Sequence, residues 1–150
     1  MVTLHGGCQC RRHRYTVRLE KPEGYFCHCR MCQQAFGNIF ATFINVSIAN
    51  VRWDSADPSY YASSRIARRG FCARCGTPLT FQYLDSAHMD LSVGSLDDPG
   101  AVHPTEHTGV ESRVASWHLT GMLPESRIDD NPRIRERWLA AYGPDEGPGV

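Results

Sequence analysis

Long hydrophobic runs are what this chain of 150 residues most clearly lacks. A helix needs about 20 predominantly apolar residues to cross a bilayer. No stretch comes near that, so no membrane partner is expected. The opening, Met1-Val2-Thr3-Leu4-His5-Gly6-Gly7, has no charged segment followed by an apolar one. No secretory signal is therefore read, and a cytoplasmic location is expected. Charge of one sign is missing as well: Lys and Arg total 16, Asp and Glu total 16, and the formal net charge is zero. Nucleic-acid-binding domains usually carry a basic face. The neutral balance argues against a nucleic-acid partner, although Arg65, Arg68, Arg69 and Arg74 lie close together. Lysine is almost absent, Lys21 being the only one; that bias speaks of genome composition and carries no chemistry. There is no internal repeat and no low-complexity segment.

What is present is an ordinary globular balance, 41% hydrophobic and 21% charged, in a length that fits one domain with a real core. Tyr15, Val17 and Leu19 alternate with polar residues and read as a strand. Residues 39–46, rich in β-branched and aromatic side chains, read as a second. Residues 51–53, 60–66, 79–84 and 89–93 are further short strands. Pro22-Glu23-Gly24, residues 54–58, Gly94-Ser95 and Asp97-Asp98-Pro99-Gly100 read as turns between them. The fold class expected is mostly β. Residues 29–36 allow one or two helical turns. A helix is expected at 131–143, where Asn131 suits the N-cap and Pro132 the first helical position. Ile134, Trp138 and Ala141 or Tyr142 then recur at helical spacing, and Gly143 ends the run. The organisation expected is a β domain over 1–130, the helix packed on it, and a flexible tail over 144–150. Trp53, Trp117 and Trp138 are read as core, and the molecule as a monomer or homodimer.

Seven cysteines fall in three groups: Cys8-Gln9-Cys10, Cys27-His28-Cys29-Arg30-Met31-Cys32 and Cys72-Ala73-Arg74-Cys75-Gly76. An odd count, no secretory signal and a chain large enough to hold a core weigh against a disulfide framework. Clustering weighs against scattered buried thiols. Zinc takes four soft ligands in a tetrahedron. A CxxC turn followed by glycine aims two sulfurs at one point, and a CxC pair can supply two more. Cys8, Cys10, Cys72 and Cys75 are therefore expected to form a closed structural zinc site. Arg68, Arg69 and Arg74 are near enough in sequence to offset part of its thiolate charge.

Cys27, Cys29 and Cys32 remain. Three protein ligands and a vacancy are the pattern of a catalytic zinc, and a soft trithiolate favours a thiol as visitor. Two other readings stay open: a closed site with a histidine such as His28 as fourth ligand, or metal-free redox thiols.

These groups, in this order, resemble the glutathione-dependent formaldehyde-activating enzymes and the related centromere protein V domain. The resemblance rests on Gly6-Gly7-Cys8-Gln9-Cys10, the 27–32 trio, and the run from Arg69-Gly70-Phe71-Cys72 through Cys75-Gly76-Thr77-Pro78-Leu79. Val93-Gly94-Ser95-Leu96-Asp97-Asp98-Pro99, Pro104, His107, Trp117 and Leu123-Pro124 add to it. It implies a β-tent of small twisted antiparallel sheets tied by the four-cysteine zinc. It also implies a second, labile zinc on Cys27, Cys29 and Cys32 where glutathione binds. The implied activity is that of a carbon–sulfur lyase adding glutathione to formaldehyde, with a small-molecule thiol and an aldehyde as partners. Segment Gln33-Gln34-Ala35-Phe36-Gly37 departs from the small or basic residues that many members carry there. On that mechanism a polar group protonates the alkoxide, for which His28 and His107 are the candidates. Arginines hold the glutathione carboxylates, for which Arg30 and Arg68 are the candidates. The competing class is a zinc-binding structural or partner-binding module without catalysis.

Overall fold

The computed structural model describes residues 1–117 together with 132, 136, 139, 140, 143 and 144. The chain divides into a unit over Met1–Trp117 and a second over His118–Val150. In the second unit, Pro132, Glu136, Leu139 and Ala140 are helical, within the expected 131–143 span. The packing of that helix, Trp138, the Leu123-Pro124 pair and most of the 144–150 tail lie outside the described residues.

The first unit is built from ten strands and one short α-helix, so the mostly β expectation holds. β1 (Val2–Gly7), β2 (Arg14–Leu19) and β5 (Val51–Trp53) form a small antiparallel sheet in the order β1-β2-β5. A larger sheet contains β3 (Glu23–Cys27), β4 (Ala41–Ser47), β6 (Ser59–Ala62), β7 (Ala67–Phe71), β8 (Pro78–Tyr83), β9 (His88–Ser92) and β10 (His103–Thr108). Its order is β10-β3-β4-β9-β8-β7-β6, and every pairing is antiparallel except β10 with β3.

Alternation along the strands sends successive side chains to opposite faces. Tyr15, Val17 and Leu19 from the small sheet meet Ile44, Val46, Met89 and Leu91 from the large one in the main core. Both inner faces are apolar, so sheet stacks on sheet. Tyr15 is fully buried, and its hydroxyl is satisfied by Ser95 Oγ at 2.7 Å. The other face of the large sheet carries Tyr25, Phe43 and Phe81, and a smaller cluster there takes in Phe36 of α1 (Arg30–Phe36). Gly37 ends α1 at φ 58°, donating to the carbonyls of Gln33 and Gln34.

Several sequence readings shift. Glu23 and Gly24 open β3 rather than completing a turn. The strand expected over 60–66 stops at Ala62. β1, β3, β7 and β10 were not foreseen, because glycines, arginines and exposed polar residues hide them from a hydrophobic pattern. Trp53 does pack on the main core, edge-on to Tyr15 at 5.3 Å. Trp117, expected in the core, is 66% exposed.

Candidate metal centres

Cys8 follows β1 directly, and its N–H closes a turn onto the His13 carbonyl at 3.0 Å. Arg11, at φ 61°, lets that turn fold back tightly. Cys72 follows β7; its N–H donates to the Thr77 carbonyl, and the Gly76 N–H reaches the Cys72 carbonyl at 2.8 Å. Gly76 adopts φ 77°, which a side chain would disfavour. The two knuckles face each other. All four sulfurs of Cys8, Cys10, Cys72 and Cys75 lie within 4.8 Å of one another. Cys8 and Cys10 stand 3.6 Å apart, and Cys10 and Cys72 3.7 Å. A tetrahedron with Zn–S distances of about 2.3 Å has S–S edges of about 3.8 Å, so the donor set fits a zinc ion in both chemistry and spacing.

The thiols do not ionise alike. Burial pushes the Cys75 thiol up, but hydrogen bonds from Thr77, Cys10 and Cys72 outweigh it and bring it to about 5. Cys10 is pushed to about 11: an Arg12 backbone hydrogen bond favours its thiolate, while burial and the neighbouring sulfurs oppose it more strongly. Clustered thiolates repel, and only a cation lets all of them ionise together.

The second group comes from the end of β3 and the start of α1. Cys27 closes the strand, Cys29 is the N-cap of α1, and its sulfur accepts from the Cys32 N–H at 3.4 Å. The three sulfurs lie within 4.8 Å of one another. Cys27 and Cys29 are half-buried, whereas Cys32 is buried. Among the described residues no histidine, carboxylate or further cysteine joins this group. Cys27 is drawn down to about 5, first by the Cys32 thiol, against burial and with help from Cys29 and Thr108. Cys32 is pushed up by that same contact with Cys27 and by burial.

Three residues outside the cysteine motifs shape this centre, and motif reading missed their roles. Gln33 is buried and donates to the carbonyls of His28 and Ser112, both at 2.8 Å, tying α1 to β3 and to the segment after β10. Gly109, at φ 63°, leaves room for Cys29: a Cβ there would sit 2.7 Å from the Cys29 N. Arg69 donates to Cys32 Sγ at 3.2 Å. Sequence proximity had grouped Arg69 with the four-cysteine site. Alternation along β7 instead turns it to the α1 face.

Arg68 points the other way, donating twice to Gln82 Oε1 and lying 4.3 Å from the centre of the Tyr60 ring. Arg30 is exposed at the first position of α1 and donates to Gln33 Oε1 at 3.1 Å. Arg74 is exposed on the second knuckle. His28 Nε2 and His107 Nδ1 meet at 2.9 Å. His107 stacks on Phe26, and His28 meets Phe40, which packs edge-on to Phe26. The histidine pair thus sides with Phe26, whereas Cys27 packs with Tyr25 and Phe43.

A β-rich fold tied by one four-sulfur and one three-sulfur cluster defines a cysteine-cluster protein with two candidate metal centres. The model of the glutathione-dependent formaldehyde-activating enzyme family matches residues 3–112, and the chain belongs to that family. It is 32% identical over 83 residues to an uncharacterized lyase of Schizosaccharomyces pombe; the match covers 55% of this chain and 60% of the relative's length. A solved protein of Rhodobacter sphaeroides superposes with a TM-score of 0.54 at 22% identity, covering 68% of this chain and all of the other. That likeness concerns the fold alone. Among the described residues, no helix is long and apolar enough to cross a membrane.

Proposed function

We propose that the chain is a zinc-dependent lyase-type enzyme that adds a thiol to a small aldehyde at Cys27, Cys29 and Cys32, with glutathione and formaldehyde as the pair. The observation that carries this reading is the three-sulfur cluster without a fourth protein ligand among the described residues. Family membership supports the substrate class. Cys8, Cys10, Cys72 and Cys75 hold a structural zinc on this reading.

Cys27, Cys29 and Cys32 would hold a zinc ion, which would supply the Lewis acidity that favours the ionised form of a thiol at neutral pH. The protein's part is positional. The N-cap bond fixes Cys29, Gln33 pins α1, and the half-buried side at Cys27 and Cys29 admits the substrate. The glutathione sulfur attacks the carbonyl carbon. A carbon–sulfur bond forms, the π pair moves to oxygen, and the proton given up by the thiol returns to that oxygen through solvent. Arg30, exposed beside the trio, is the nearer candidate for a glutathione carboxylate. Arg68 is already engaged with Gln82 and Tyr60, and would have to give up those contacts.

The test is exchange between free formaldehyde and its glutathione adduct, followed by NMR on zinc-loaded protein. Acceleration that falls to the uncatalysed rate in Cys29→Ser supports the enzyme. Two tightly held zinc ions without acceleration would instead make the chain a binding module.

A further inference from the structure

Arginine is rarely buried without a carboxylate partner, yet Arg69 is 4% exposed. Its guanidinium carbon lies 4.7 Å from the centre of the Phe81 ring, its cross-strand neighbour. Nη2 donates to Cys32 Sγ. Nη1 is buried and has no hydrogen-bond partner among the described residues, and Arg69 enters none of the described ion pairs. Among the described residues the fold therefore keeps a permanent positive charge in a dry place with a sulfur as its one hydrogen-bonded contact, and the buried Asp90 acts on it through space without an ion pair. A neutral thiol does not offset the cost of burying that charge, whereas a thiolate does.

We infer that Arg69 is the positioning residue of the three-cysteine centre, fixing Cys32 and neutralising one thiolate so that the centre holds a dication and then an anionic fourth ligand. The inference rests on the metal reading proposed above. Three thiolates around a dication leave one net negative charge, which would oppose the arrival of a further thiolate. Arg69 cancels it. The burial of Cys32, against the half-exposure of Cys27 and Cys29, fits a division in which Cys32 anchors and the other two sulfurs face the visitor. Among the described residues no arginine or lysine is buried at the four-cysteine centre, where Arg11, Arg12 and Arg74 are exposed.

The experiment is zinc titration of the full chain against a chromophoric chelator, reading both binding steps. Arg69→Met is expected to weaken the three-cysteine step by about 10- to 100-fold, as loss of a ligand-orienting partner does elsewhere, and to leave the four-cysteine step unchanged. Arg69→Lys, which keeps the charge, is expected to recover most of the loss. Should Arg69→Met not fold, Arg69→Gln keeps a donor for Cys32 without the charge and must show the same selective weakening. Unchanged affinity, equal weakening of both steps, or failure of both neutral variants to fold would overturn the assignment. Wild-type protein with a single zinc step would overturn the metal reading itself. Two wild-type steps with an indifferent Arg69 would overturn only the role given to Arg69.

Discussion

The four-cysteine centre joins chain segments 62 residues apart, measured from Cys10 to Cys72. Cys8 and Cys72 are themselves part of the main core, packed with Tyr15, Leu79 and Leu91. The three-cysteine centre is drawn from six consecutive residues, and its sulfurs sit in the smaller cluster under α1. A metal ion in the first would close a long loop, and because the site does not exist in the unfolded chain its binding energy would add to the stability of the fold. The second closes no long loop. Its geometry is set locally by a strand end and a helix cap, and its stability comes from neighbours that exist without it. The same chemical group thus joins distant segments in one place and, among the described residues, lacks a fourth protein ligand in the other.

Removing one ligand from each centre puts the largest expected difference between them. Cys72→Ser takes a fully buried sulfur from the loop-closing centre and puts a hydroxyl into the core. It is expected to cost more than about 4 kcal/mol and to abolish a cooperative unfolding transition at moderate temperature. Cys29→Ser is expected to cost less than about 1 kcal/mol, because serine is a better N-cap than cysteine and keeps the bond to the Cys32 N–H. It should nonetheless remove the metal from that centre. Thermal denaturation with zinc counting on both variants checks this, and equal destabilisation would break the comparison.

A smaller effect is expected from Gly109→Ala. A methyl group at φ 63° is strained, and it would press on the Cys29 backbone. The expected loss is about 1–3 kcal/mol. The displaced N-cap should also weaken zinc at Cys27, Cys29 and Cys32 while sparing the other centre. Stability loss without change at the three-cysteine centre would show that Gly109 supports the fold and not the site.

How much of this was legible in advance differs between the two centres. The CxC and CxxCG spacings pointed to Cys8, Cys10, Cys72 and Cys75 as one group, and the structure gathers those four sulfurs. The trio was equally legible as a group. Its surroundings were not, because they depend on pairings that no local pattern carries. Arg68 and Arg69 are adjacent and chemically alike; only the pleat of β7 decides that one meets Tyr60 and the other Cys32. β10 is exposed and polar, and becomes a strand by parallel pairing with β3, which brings Thr108 and Gly109 against Cys27 and Cys29. The hydrophobic alternation of β2 and β9 announced strands that β7, with three consecutive residues Arg68, Arg69 and Gly70, concealed.

The smallest expected effects come from two aspartates that should answer pH in opposite directions, one on each side of the large sheet. Asp90, on the α1 face, is raised above the ordinary 3.8, first by burial and further by charge on Cys27, against hydrogen bonds from Asn45 and Tyr25 and a weaker attraction from Arg69. Between 3.8 and that raised value the folded state holds a proton that the unfolded state has released. Stability from this group is therefore full below the ordinary value and is lost as pH rises through the raised one. Asp97 pairs with Arg14 of β2 and lies below 3.8, chiefly because of that hydrogen bond, against a smaller burial effect. Here the unfolded state binds the proton first, so the contribution is present above 3.8 and is lost as pH falls through the lowered value. The Arg14 and Asp97 side chains are 30% and 49% exposed, and solvent screening holds the pair to less than about 1 kcal/mol. Denaturant midpoints measured from pH 3 upward should therefore separate the two variants. Asp97→Asn should flatten the acid side of the wild-type curve, and Asp90→Asn should remove a decline that runs upward from the ordinary carboxylate value. If Asp90→Asn instead steepened that decline, the buried carboxylate would be a stabilising counter-charge to Arg69. The positive charge at the three-cysteine centre would then already be spoken for before any metal arrives.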